Sequence, residues 1–170
     1  MEPKEYVVML LKNHSRMVRE AASLRFELKN FVKVGDDEII EEMALSHPMG
    51  DGIRSGRVSD KTTDVALRYR EVAEQVNEEA YKAVVHRLSA LETATERLDF
   101  YLGQLDKTQV EVIRGYYFER RTWREMQEGT ELTVKTLRKM RDAAVTSLTE
   151  QYALLFSLSV ITKGEKELFP

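Results

Sequence analysis

The chain contains no cysteine. That excludes disulfides, thiolate metal sites and cysteine nucleophiles, and makes a reducing cytoplasm its natural home. Only three of its 170 residues are proline, and eight are glycine. Long helices are therefore interrupted in few places. There is a single tryptophan, and aromatic residues make up 8% of the chain. The longest apolar run, Ala153 to Ile161, falls far short of the ~20 residues that a membrane-spanning helix needs. The first residues, MEPKEYVVMLLKNHSR, lack the apolar core and cleavage site of a secretory signal. The expectation is a soluble cytoplasmic protein without a membrane partner.

What the sequence does have is charge and helical periodicity. Apolar residues account for 42% and charged ones for 32%, a mix that favours amphipathic helices. After Pro3, which suits a first helical turn, Val7, Leu10, Leu11, His14, Met17, Val18, Ala21, Leu24, Leu28 and Phe31 recur at three- and four-residue steps. This predicts a helix ending near Gly35. Asp36 and Asp37 open a short second helix, and residues 47–59, with three glycines and Pro48, read as a loop. From about Thr62 to Gly103, Val65, Tyr69, Val72, Val76, Ala80, Val84, Leu88, Leu91, Thr95, Leu98 and Leu102 keep the helical step. Such a helix would be about 60 Å long and cannot bury its stripe alone. The first helix, packed antiparallel, or a second copy of the chain is its partner. The fold class predicted is all-α, with residues 1–104 forming a helical hairpin or coiled-coil stalk.

Residues 105–150 read as a three-helix head. Asp106 or Thr108 caps its first helix, and Val110, Ile113, Tyr117 and Phe118 give that helix an apolar face. Glu119-Arg120-Arg121 connects to Thr122-Trp123-Arg124-Glu125, a capping box. Gly129 and Thr130 end this short helix. Thr133 then caps a third, with Leu137, Met140, Ala144 and Leu148 on one side and Lys135, Arg138, Lys139 and Asp142 mostly on the other. A short helix, a tight turn and a second helix with a basic outer face are the parts of a DNA-binding helix-turn-helix. The charge agrees. The whole chain carries −3, but residues 1–106 carry −5, residues 107–141 carry +4 and residues 142–170 carry −2. In such a head, Thr133, Val134, Lys135, Thr136, Arg138 and Lys139 face the groove. Lys135 and Lys139 are placed to donate to guanine, and Val134 to meet a thymine methyl. Arg120, Arg121 and Arg124, with Arg138 and Thr136, grip phosphates. Trp123 is read as core of the head. Residues 151–161 extend the third helix or make a dimer contact, and Lys163 onward reads as a loose tail.

Ile113, Tyr117-Phe118-Glu119, Thr122-Trp123, Glu125, Met126, Thr133 and Leu137 resemble the C-terminal domain (region four) of bacterial sigma factors. The stretch from Leu105 to about Ala144 is more closely similar to phage-encoded, sigma-like late-transcription activators of the ArpU/RinA type. A second patch, Ser55 to Thr62, looks like the segment those proteins carry before their long middle helix. Together the two cover roughly a third of the chain. The resemblance implies a helix-turn-helix that binds promoter DNA in a bacterial host cell, with RNA polymerase as a second partner. It assigns base reading to Val134, Lys135 and Lys139. The turn departs from the family pattern at Gln127, Thr130 and Glu131, where the family has a small residue, Leu and Gly. Glycine there would accept positive φ without strain, which Glu131 does not, so the turn is expected to be rebuilt.

Catalytic chemistry finds no support in the residues. His14, His47 and His86 form no H-x-x-x-H pair, and the acidic cluster Asp36, Asp37, Glu38, Glu41 and Glu42 is explained by helix-start preference rather than a metal. Gly50, Gly52 and Gly56 lack the ending of a phosphate-binding loop, and no G-x-S-x-G element is present. The reading is a non-enzyme without cofactor or metal: a phage or prophage transcription regulator that binds double-stranded DNA. It would self-associate through the long helix or residues 151–161. The alternative is a phage DNA-packaging protein, small-terminase-like, or a helical adaptor with non-specific or no DNA binding.

Overall fold

The N-terminal sequence forms one helix, α1 (Pro3–Lys29), in the computed structural model, which describes residues 1–31 and 60–169, with side chains for residues 1–31 and 71–169. The remaining elements are α2 (Asp60–Leu102), α3 (Lys107–Ile113) with a π-helical turn (Arg114–Phe118), α4 (Trp123–Glu128), α5 (Val134–Ser157) and α6 (Lys163–Lys166). The fold is all-α, with no strand among the described residues. The acidic cluster at 36–42, His47, the glycine loop and residues 55–59 of the second patch lie outside those residues. So do the side chains of Val65 and Tyr69.

The chain divides into two compact units, Met1–Arg25 with His86–Pro170, and Phe26–Val85. In the first, α1 buries Tyr6, Val7, Leu10, Leu11, Met17 and Ala21. On α2, Leu88, Leu91, Thr95, Leu98 and Leu102 are buried at the spacing the sequence predicts. His14 reaches Asp99 of α2 at 3.6 Å, while farther along α1 Glu20 meets Arg87 and Arg25 meets Glu92. The two helices therefore run antiparallel here. The ion pairs are partly exposed and individually worth little; the apolar seam between the helices carries the packing.

In the second unit the buried positions depart from the expected stripe. Ala73 and Asn77 are buried, whereas Val72 and Val76 are exposed. Ala73 and Asn77 each stand one position after an expected valine, so the buried face is shifted by one residue. The predicted stripe ran in repeated steps of four and drifted onto the valines, because Val is the more apolar residue. Here Phe31 packs edge-on against Tyr81, with ring centroids 5.4 Å apart.

The C-terminal half of α5 buries Ala144, Val145, Leu148 and Tyr152. Its final turns continue the helix through Ser157, one of the two outcomes expected for residues 151–161. Tyr152 lies 5.7 Å from Tyr6 and 5.6 Å from Tyr101, and Tyr6 also meets Phe156 at 5.4 Å and Phe169 at 5.9 Å. Burial pushes both the Tyr6 and Tyr152 phenols well above their ordinary range. The segment after α5 is not the loose tail the sequence suggested. Thr162 and Glu165 form a capping box that starts α6, Ile161, Leu168 and Phe169 are buried, and the Glu165 carboxylate, 0% exposed, is paired with Arg97. The sequence signal for this was the Thr-x-x-Glu spacing followed by Leu-Phe, obscured by the lysines and glutamates between.

Among the described residues, removing Arg97 would leave the buried Glu165 carboxylate with the Thr162 N–H, 2.9 Å away, as its remaining hydrogen-bond donor. Arg97→Met is expected to cost about 3–5 kcal/mol, read as a lower urea midpoint. A double variant that also carries Glu165→Leu should recover much of the loss. Equal stability of Arg97→Met and wild type would mean that the pair is not buried in solution.

Candidate nucleic-acid interface

The head is built on a small core of Val112 from α3, Met126 from α4 and Leu137 from α5, with Tyr116, Trp123, Leu132 and Met140 packed against it. α3 starts at Lys107 after Asp106, whose side chain makes no capping hydrogen bond. The expected side-chain cap is therefore missing at Asp106. The helix ends in the π-helical turn, where the Glu119 N–H donates to the Arg114 carbonyl at 3.0 Å. The extra residue of such a turn rotates the downstream chain by about 100°. It sets Tyr116 against Trp123, stacked at 4.5 Å and 21°, and Phe118 against His14 of α1, stacked at 4.0 Å and 13°. Tyr116, whose role the periodicity left undetermined, is thus part of the head's packing. Gly115 is buried in this turn, and a Cβ there would stand 3.3 Å from Met126 Cε. The small residue lets α3 and α4 approach.

α4 begins as its sequence predicts. The Glu125 N–H donates to Thr122 Oγ1 at 3.3 Å, and the Thr122 N–H donates to Glu125 Oε2 at 2.7 Å. Those bonds to Thr122 hold the Glu125 carboxyl below its ordinary pKa. The following turn has no residue at positive φ. Gly129 has φ −89°, and among the described residues only Arg120 and Ser159 are non-glycines with positive φ. Thr130 closes the turn instead. Its hydroxyl donates to the Met126 carbonyl at 3.2 Å and accepts from the Leu132 N–H at 3.4 Å. Of the three turn residues Gln127, Thr130 and Glu131, Thr130 thus supplies hydrogen bonds of its own. Thr133 caps α5, accepting from the Thr136 N–H at 3.2 Å.

Of the nine residues singled out from the sequence, Thr133 is the exposed cap of α5. Lys135, Arg138 and Lys139 are exposed on the first turns of α5, and none has a carboxylate partner among the described residues. Val134 and Thr136 are half-buried, less available than expected, and the Thr136 hydroxyl lies 2.9 Å from that of Thr133. Arg121 pairs with Glu119 at 2.6 Å and Arg124 with Glu128 at 3.4 Å, both on the surface. Such pairs are individually weak. Arg120 sits in the connection at φ 56°, a backbone region that costs a non-glycine residue about 1–3 kcal/mol. Periodicity missed Arg141. Its guanidinium lies 5.3 Å from the Trp123 and Tyr116 rings and donates to Asp142 Oδ1 from Nε at 2.9 Å and from Nη2 at 2.6 Å. A cation one helical turn beyond Arg138 and two aromatics near the π turn were the available signal.

A groove of about 340 Å³ opens between α3 and α4, with Val112, Met126 and Leu137 at its floor and Glu111, Arg114, Glu119 and Arg121 among its lining residues. Both signs of charge line it, which suits no single anionic ligand. Among the described residues, no group of three or more His, Asp or Glu side chains could hold a metal ion, and no helix is long and apolar enough to cross a membrane.

Burial of His14 lowers its pKa below the ordinary 6.5, against the pull of Asp99 and with the help of Arg114. The unfolded state then binds the proton more readily than the folded one. Stability from this group is present above 6.5 and is lost as pH falls through the lowered folded value. Relative to His14→Gln, wild type should lose stability between neutral pH and pH 5, by urea denaturation at several pH values. A difference that stays flat with pH would show an imidazole titrating as it does in water.

Comparison with protein-family models, with curated proteins and with solved structures gave no match for this chain.

Proposed function

We propose that this chain is a phage or prophage DNA-binding transcription regulator, an activator of late genes, which reads promoter DNA through the head and works together with the host RNA polymerase. The observation that carries the reading is the N-terminal end of α5. Lys135, Arg138 and Lys139 are exposed there without carboxylate partners among the described residues, beside a helix start whose unpaired N–H groups add positive potential. The elements follow the order of a helix-turn-helix, with α4 leading into α5 across the five residues 129–133, where Thr130 and Thr133 make hydrogen bonds.

With this end of α5 in the major groove, Lys135 and Lys139 donate to guanine O6 and N7, and Val134 lies beside a thymine methyl. Arg120, Arg121 and Arg124 lie at the connection and the start of α4, where the first helix of the motif crosses the phosphate backbone. On binding, phosphates displace Glu119 from Arg121 and Glu128 from Arg124. Opening of the promoter is left to the host enzyme, so activation requires it. Self-association is assigned to the end of α5 and the residues after it, where Leu154 is 59% exposed and Leu158 64%, more apolar surface than a solvated helix end usually shows.

Anisotropy titration against upstream regions of the source genome, at two salt concentrations, tests the reading. One region should bind well above the rest, and Lys135→Ala/Lys139→Ala should lose that preference. Uniform weak binding that follows only salt would instead favour a packaging or adaptor role. For self-association, light scattering should give a multimer for wild type and a smaller species for Leu154→Glu/Leu158→Glu. A wild-type monomer at micromolar concentration would remove that assignment.

A further inference from the structure

In the head, a cation lies beside a pair of stacked aromatic rings. Tyr116 of the π-helical turn lies against Trp123 at the start of α4, and the Arg138 guanidinium of α5 lies over the same indole, 5.6 Å from its centroid. Trp123 is half-buried and Arg138 exposed. Arg141 also lies by the indole, but its Nε and Nη2 are committed to Asp142. It belongs to the scaffold. Arg138 makes no such commitment among the described residues.

From this geometry we infer that Trp123, backed by Tyr116, is a positioning residue that holds the Arg138 guanidinium in place for a DNA phosphate. The inference rests on the DNA-binding reading above and adds to it a role for an aromatic pair that touches no nucleic acid. The chemistry is specific to arginine. A guanidinium lying over an aromatic ring uses its face and keeps its in-plane N–H donors free, and it is weakly hydrated. Arg138 can therefore rest on the indole and still present its donors outward. An arginine otherwise loses much rotamer freedom when it binds, and the stack removes part of that loss in advance. Lysine, a strongly hydrated point charge, would keep the attraction to phosphate without the stacked geometry. Tyr116 and Trp123 come from elements on either side of the connection, so the π turn and the DNA-facing helix are joined through Arg138.

The chain has one tryptophan, so its fluorescence reports on this site alone. The test uses the full chain and the best-bound duplex from the upstream panel. In the free protein, Arg138→Ala is expected to change Trp123 emission. In binding, Trp123→Phe, which keeps an aromatic ring but a poorer cation platform, should weaken affinity by about twofold to fivefold at unchanged salt slope. Arg138→Ala should weaken it further and lower the slope of log affinity against log salt by about one. The double variant should bind no worse than Arg138→Ala alone, since the tryptophan acts only through the arginine. Arg138→Lys should keep the salt slope and become insensitive to Trp123→Phe. Losses that multiply in the double variant, or wild-type affinity in Trp123→Phe, would overturn the inference and leave DNA binding standing. Failure of the wild type to bind any duplex would overturn both. Should Trp123→Phe not fold, unchanged tryptophan emission in Arg138→Ala is sufficient to overturn the stack.

Discussion

An amphipathic helix as long as α2 cannot keep its apolar stripe from water by itself. The first compact unit is organised around meeting that constraint. Leu88, Leu91, Leu98 and Leu102 are buried on α2, α1 contributes Leu10, Leu11 and Met17, and Leu148 and Tyr152 of α5 add a third helix to the buried set. At roughly 1.5–3 kcal/mol for each large apolar side chain withdrawn from water, this seam outweighs the exposed ion pairs beside it. The charged residues set the register of the helices more than the strength of their association.

Within that unit, α1 also holds the end of the π-helical turn. Phe118, at the end of the π-helical turn, stacks on His14 of α1, and the Ser15 hydroxyl donates to the Phe118 carbonyl at 3.3 Å. From Phe118 the chain passes through the strained Arg120 into α4. An inserted residue in one helix thus fixes where Tyr116, Trp123 and, through them, Arg138 are held. Local backbone irregularity here serves the packing of the surface, as is common where helices depart from regular hydrogen bonding.

Much of this was legible in the residues. Thr122-x-x-Glu125 and Thr133 carry their caps in the sequence, because a hydroxyl three residues before its target N–H is a local arrangement that needs no tertiary information. The seam on α2 from Leu88 to Leu102 was equally legible, since leucine at three- and four-residue steps admits one buried face. The phase beyond Val84 was not. There Ala73 and Asn77 are buried while Val72 and Val76 are exposed, which residue hydrophobicity alone does not give. The π turn was invisible to a period of 3.6, and with it the pairing of Tyr116 to Trp123. The ordered segment after α5 was hidden by its charges. Glu165 looks solvated in sequence and is buried only because Arg97, far away in the chain, meets it. Of the candidate DNA contacts, Lys135, Arg138 and Lys139 stand where spacing put them, whereas Val134 and Thr136 are drawn inward by the cap and the core.

The contact of Tyr6 with Phe169 has a consequence for how the protein is made. The N-terminal helix leaves the ribosome first, but part of its buried face is matched by residues translated much later. At ordinary synthesis rates, the wait is on the order of ten seconds. During that time, Leu10, Leu11 and Met17 can be covered by α2 once it emerges, while Tyr6 stays bare until α5 and the segment after it arrive. Closure of the first unit is therefore a late, non-local event, and such contacts fold slowly. Until those residues arrive, the nascent helix end carries uncovered apolar surface.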